Sequence, residues 1–179
     1  MSSFVLDLDR YLPFLLTATA NKLSAGASRV YREKFDVGIT DWRILAMLAV
    51  EPKITAARIC SVIGLNKAAT SRTLVNLRKR GFVQESHGHN NDKRSTLIEL
   101  TDAGKEIHDD IMRVALMREQ KLLEVFSEAE IEQLLEYFQR LHRQVEKVNL
   151  LDYDKDVVEQ NVPSFDHPSL HTKKSDQEA

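Results

Sequence analysis

Asn66-Lys67-Ala68-Ala69-Thr70-Ser71-Arg72-Thr73-Leu74-Val75-Asn76-Leu77-Arg78-Lys79-Arg80-Gly81 is the stretch whose reading decides the fold. Asn66 is a favoured N-cap, because its side-chain oxygen can accept from a free amide of the first turn. Arg78, Lys79 and Arg80 place cations at the negative end of the helix, and Gly81 supplies the turn that ends it. Leu74, Val75 and Leu77 give the helix an apolar packing side. Lys67, Ala68, Thr70, Ser71 and Arg72 crowd its first turns with small, polar and cationic side chains. Small residues let a helix backbone approach a groove floor, cations neutralise phosphates, and polar tips read base edges.

The neighbouring segments fit the same architecture. Upstream, Thr55 caps a short helix over residues 56–63, and Gly64 makes the tight turn into the basic helix. Downstream, residues 82–86 and 95–100 read as paired strands, joined by a Gly-, Asn- and Asp-rich connection carrying Asp92, Lys93 and Arg94. A basic hairpin beside a groove-reading helix can reach the adjacent backbone or minor groove. An Arg inserted in a narrow minor groove gains from its negative potential. Asp92, two residues from Arg94 on the same side of an extended strand, is placed to hold its rotamer. Thr101 then caps a fifth helix running from 102 to about 126.

This order of elements points to duplex DNA as a partner. Arg72 is the candidate for a bidentate contact to guanine, Thr70 and Ser71 for bases or phosphates, and Lys67 for a phosphate. Asn76 and Arg78 lie further along the same helix, and Asp92, Lys93 and Arg94 complete the candidate set from the hairpin.

The flanks are helical. Residues 6–35 read as one long helix, apolar on more than one face. Thr40 reads as the cap of a helix over 41–50, and Asp41 suits its positive end. Ser127 with Glu130 forms a capping box for a sixth helix. Its Ile131, Leu134, Leu135, Phe138, Leu141, Val145 and Val148 make a continuous stripe. The segment 151–179 is polar, holds Pro163 and Pro168, and reads as a flexible tail. The fold class is mainly α with a small β-hairpin wing (α+β).

Composition bounds the alternatives. The chain has 179 residues, a formal net charge of -2 and 29% charged residues, as in an ordinary soluble protein. The charge is unevenly spread: residues 67–94 are basic, whereas 119–136 and the tail are acidic. A local basic face on a near-neutral chain is the footprint of a nucleic-acid surface. The single Cys60 permits no internal disulfide, which fits a reducing compartment, and no segment reads as a signal peptide or membrane span. A cytoplasmic location is expected. There is no Gly-rich phosphate loop and no nucleophile motif, so an enzyme is not expected. Nor is a cofactor or a metal, since His87 and His89 sit on the DNA-facing hairpin and His108 and His142 are isolated in sequence.

Gly64-Leu65-Asn66, Thr70-Ser71-Arg72, Leu77-x-x-Arg80-Gly81-Phe82-Val83, Asp92-Lys93-Arg94 and Leu100-Thr101-Asp102-Ala103-Gly104 together resemble the MarR family of winged-helix transcription regulators, over residues 6–148. The resemblance implies a winged helix-turn-helix lobe over 36–101 and a helical dimerisation lobe from 1–35 and 102–150. It also implies a homodimer on double-stranded operator DNA, released by a small effector bound between the lobes. Two-fold symmetry would set two recognition helices about one helical turn apart, matching a pseudo-palindromic operator.

Asp41-Trp42-Arg43 after the long first helix resembles a branch of the family that answers to aromatic carboxylates or their coenzyme A thioesters. Phe14, Thr17, Asn21 and Trp42 are then candidate walls and hydrogen-bonding groups, with Arg29 or Arg43 as the cation for the carboxylate. An oxidant-responsive repressor acting through Cys60 and a winged-helix protein-interaction module are the alternatives. Cys60 lies between Ile59 and Ser61 in the third helix, with Arg58 the nearby cation that would favour a thiolate.

Overall fold

A computed structural model describes residues 4–87, 96–151 and 169–172. In chain order these form β1 (Phe4–Leu6), α1 (Leu12–Phe35), α2 (Ile39–Val50), α3 (Ala56–Ile63), α4 (Lys67–Lys79), β2 (Val83–His87), β3 (Thr96–Leu100), α5 (Asp102–Leu123), α6 (Glu128–Asn149) and β4 (Leu170–Thr172). The mainly helical fold with one small hairpin is the expected one. Packing divides the chain into two compact units, Lys22–Lys121 and the pair Met1–Asn21 with Leu122–Ala179. The divide falls inside α1, between Asn21 and Lys22, and in the last turn of α5. Ala27 and Tyr31 of α1, and Ile111 of α5, are buried in the core that also holds α2, α3 and the hairpin.

The unit Lys22–Lys121 is built around Ile44, Leu45, Leu48, Ile59, Leu77 and Ile111, all essentially inaccessible to solvent. The caps that start its helices are mostly those expected. Thr55 accepts from the Arg58 amide, and Asn66 accepts from the Ala69 amide at 2.8 Å. Gly64 adopts φ +69° between α3 and α4, a left-handed turn that other residues enter at a cost. Thr40 is not a cap, because α2 begins one residue before it. Gly38 is the cap residue, and its amide donates to the Asp41 carboxylate at 2.9 Å.

The hairpin pairs β2 with β3 antiparallel, Val83 opposite Leu100 and Glu85 opposite Ile98. Ile54 adds a single bridge to Ile98, which ties the α2–α3 connection to the sheet. The start of α5 is fixed to the hairpin base at several points. The Thr101 amide donates to the Phe82 carbonyl at 3.1 Å, and the Thr101 hydroxyl donates to the Gly81 carbonyl at 2.5 Å. The same hydroxyl accepts from the Gly104 amide at 3.0 Å, capping α5. Gly104 packs so tightly that a Cβ there would lie 1.9 Å from the Phe82 carbonyl oxygen.

In the other unit two expectations change. α1 starts at Leu12, not near residue 6, because a turn intervenes: the Arg10 amide donates to the Asp7 carbonyl and the Asp9 amide to the Asp7 carboxylate. Before the turn, Phe4–Leu6 is a strand, and its antiparallel partner is Leu170–Thr172. The tail, expected to lack regular structure, therefore contributes a strand at these residues. Ser169 is buried and locks the join: its carbonyl accepts from the Asp7 amide at 2.7 Å, and its hydroxyl donates to the Arg10 carbonyl at 3.0 Å. α6 opens with the expected capping box of Ser127 and Glu130, yet it has no fully buried residue. Leu135, Tyr137, Phe138, Val145 and Val148 stand exposed along it.

Candidate nucleic-acid interface

α4 separates its residues by helical spacing. Thr70 and Leu77 are fully buried, with Thr73 and Leu74 half-buried beside them. The opposite face carries Ala68, Arg72, Val75 and Lys79, flanked by Lys67, Ser71 and Asn76, all exposed. At ~100° per residue these positions form one stripe centred away from the core. Small Ala68 and Ser71 sit at the helix start, so the backbone there can come close to a groove, with Lys67 and Arg72 on either side.

Thr70 is the exception among the expected contacts. It is completely buried, and its hydroxyl has no hydrogen-bonding partner among the described residues. It therefore packs with Leu74 and Leu77 and cannot touch DNA from this position. Asp92, Lys93 and Arg94 lie outside the described residues. Lys79, beyond the residues expected from sequence, shares the face of Arg72, seven residues on. That spacing was the available signal.

The three cations ending the helix differ in what they do. Lys79 is exposed. Arg78 leans toward the wing and forms an ion pair with Glu85 of β2. Arg80 turns back into the domain. Its guanidinium donates to the Asp36 carbonyl at 2.6 Å and the Phe35 carbonyl at 3.5 Å, and it lies 4.8 Å over the Phe82 ring. Asp36 has φ +54°, so Arg80 holds a strained turn at the end of α1. In sequence these cations look alike; their different partners come from the α1–α2 turn and the wing.

The residues expected to bind an effector fall in both units and are described separately. In one, Phe14 and Asn21 are exposed on α1, and the Thr17 hydroxyl donates to the Pro13 carbonyl at 2.8 Å. In the other, Arg29 is exposed, and exposed Arg43 donates to the Ser24 hydroxyl at 2.9 Å. Trp42 is half-buried between two rings. It stacks on His108 at 5.4 Å and meets Tyr31 edge-on at 5.9 Å. Burial raises the Tyr31 phenol above its ordinary range, partly offset by the positive charge of Arg118. Cys60 is half-buried, and Arg58, the cation that would favour its thiolate, is held by both carboxylate oxygens of Glu51. Among the described residues no three His, Cys, Asp or Glu side chains gather as a metal site, and no helix is long and apolar enough to cross a membrane.

Comparison with known proteins fits this geometry. A MarR family model matches residues 35–95, from the end of α1 to just before β3. The crystal structure of a MarR/EmrR family transcriptional regulator from Acinetobacter sp. ADP1 is 35% identical, with a TM-score of 0.74, and the match covers 79% of this chain and 99% of that one. A MarR family regulator from Listeria monocytogenes, solved with a 26mer DNA, shares the fold at 20% identity and a TM-score of 0.68, over 73% of this chain and 85% of that one. The HTH-type transcriptional regulator YfiV of Bacillus subtilis is 26% identical over 113 residues, 63% of this chain and 70% of that protein. The family consists of transcription regulators, not enzymes. The winged helix, the exposed basic face of α4 and the near full-length likeness to the Acinetobacter protein lead to one conclusion: this chain belongs to the MarR family of DNA-binding transcriptional regulators.

Proposed function

We propose that the protein is a homodimeric repressor that binds a pseudo-palindromic operator and is released by a small aromatic carboxylate or its coenzyme A thioester. The outward face of α4 carries the reading. It joins small residues at the helix start to Lys67, Arg72 and Lys79 along one stripe. Arg72 contacts a base edge, Lys67, Arg78 and Lys79 contact phosphates, Ser71 and Asn76 supply polar contacts, and Lys93 and Arg94 of the wing reach the neighbouring groove, with Asp92 holding the Arg94 rotamer. The homodimer is supported by the apolar residues left exposed on α5 and α6 of the single chain, Met112, Leu116, Met117, Leu135, Phe138 and Val145 among them. Large apolar side chains left exposed on each of these helices call for a covering partner. The effector reading rests on Arg43, an exposed cation steadied by Ser24, and on its neighbour in sequence, the ring-stacked Trp42. The ligand acts by preferring a spacing of the two recognition helices that does not fit successive major grooves.

Fluorescence anisotropy with DNA from upstream of the protein's own gene tests the whole reading. Specific, strongly salt-dependent binding is expected, because phosphate neutralisation releases counterions. Arg72→Ala should relax preference at one base pair by roughly 1–3 kcal/mol. Equal weakening on specific and random DNA would make Arg72 a phosphate contact instead. A panel of aromatic acids and their thioesters then tests the effector: release by one member is expected, and indifference to all of them rejects this class.

A further inference from the structure

We propose that Glu85 of the wing restrains backbone binding by holding Arg78, while the protein is free, in the groove between α4 and the wing. The proposal rests on the DNA-binding reading above. The groove has a volume of about 300 Å³, and its walls include Ser71, Val75 and Arg78 of α4, Glu85 of β2 and Thr96 of β3. When a helix lies in a major groove and a wing reaches the adjacent minor groove, the strand dividing the two grooves has to pass between helix and wing. The Ser71 and Thr96 hydroxyls and the Arg78 guanidinium suit phosphate oxygens.

Glu85 does not suit them, and its position is fixed by register. It lies directly opposite Ile98, and residues directly opposite in an antiparallel pair share a face. Val83, two residues earlier on the same face, is buried in the core. Glu85 therefore stands one step further out on the side facing α4, where it meets Arg78. Both side chains are about half exposed, 52% for Arg78 and 44% for Glu85. An exposed pair of this kind is held weakly. A phosphate entering the groove offers the guanidinium a two-pronged partner in place of its single bond to Glu85. Glu85 and the phosphate therefore compete for one guanidinium. Glu85 thus lowers backbone affinity without touching base readout, so operator and random DNA are weakened alike and the gap between them is left to the base contacts.

The test uses the full-length protein and a random-sequence duplex at low salt, where backbone contacts dominate. Wild type, Glu85→Gln, Arg78→Ala and the double variant are compared by anisotropy, with thermal midpoints checking that each is folded. Glu85→Gln should bind about two- to fivefold tighter. Its dependence of log affinity on log salt should steepen by about one phosphate contact. Arg78→Ala should abolish that gain in the double variant. A folded Glu85→Gln protein with unchanged or weaker binding overturns the proposal. So does a gain that survives Arg78→Ala, because Glu85 would then act by simple repulsion and not by holding Arg78. Wild type that fails to bind any duplex removes the DNA-binding reading, and this one with it.

Discussion

Replacing Gly104 by alanine sets two effects against each other. Within a helix, alanine is favoured over glycine by about 1 kcal/mol. Here the added Cβ would lie 1.9 Å from the Phe82 carbonyl oxygen, 2.9 Å from its carbonyl carbon and 3.3 Å from its Cα. All three are backbone atoms and cannot rotate away. Relief requires α5 to withdraw by roughly 1.5 Å to reach an ordinary contact. That withdrawal pulls on the Thr101 amide bond to Phe82 and the Thr101 hydroxyl bond to Gly81. Overpacking of this sort costs about 1–3 kcal/mol, and each weakened hydrogen bond adds about 1 kcal/mol. The net destabilisation should be about 2–4 kcal/mol. For a chain of this size that lowers the thermal midpoint by roughly 5–15 °C. Far-UV circular dichroism at fixed protein concentration reads it, since self-association would otherwise move the midpoint. Gly26→Ala is the matched control. It makes the same change in propensity, but its Cβ meets only the end of the Arg118 side chain, at 3.2 Å. That variant should melt at or slightly above wild type. A Gly104→Ala protein that melts like the control would refute the packing argument.

Further outcomes follow from other contacts. Arg80→Lys should destabilise by about 1–2 kcal/mol in chemical denaturation, because an ammonium cannot keep two carbonyl contacts and the Phe82 ring together; a neutral result would mean the turn at Asp36 needs no support. Glu130 has its carboxyl held below the ordinary range by the Ser127 amide and hydroxyl. A depressed carboxylate stabilises above its unfolded pKa, and that contribution disappears as pH falls through the folded value. Glu130→Gln should thus lower the thermal midpoint at neutral pH and match wild type once both are well into the acid range; a pH-independent difference would point to lost packing instead. Ser169→Ala should raise the rate of amide hydrogen exchange at Asp7, whose partner is the Ser169 carbonyl, while leaving α4 amides unchanged; unaltered exchange at Asp7 would make the hydroxyl bond to Arg10 dispensable.

Much of this was legible in the sequence because local physics decided it. Thr55, Asn66, Ser127, Gly64 and Gly81 marked helix ends through groups within a few residues of one another. Helical spacing around Leu74 and Leu77 locates the exposed face of α4, which leaves out Thr70 and takes in Lys79. Thr70 misled because its type is polar while its position, four before Leu74 and seven before Leu77, is apolar. Position won, at the expense of a hydroxyl left without a partner. The pairing of Phe4–Leu6 with Leu170–Thr172 could not be read, since strands of three residues carry almost no pattern and lie far apart along the chain. The different partners of Arg78 and Arg80 were likewise hidden, because each is set by an element remote in sequence.

The joint at Phe82, Thr101 and Gly104 has a mechanical consequence. Thr101 donates two hydrogen bonds across it, to the carbonyls of Phe82 and Gly81, and the missing Cβ of Gly104 leaves no slack. α5 has 22 residues and is about 33 Å long. A joint with no give makes the first turns of α5 and the wing a single rigid lever pivoting near Thr101. A small sideways push on α5 within this unit is therefore not absorbed at its base but reappears as a swing of the hairpin. The wing can register events along α5 without any contact between them.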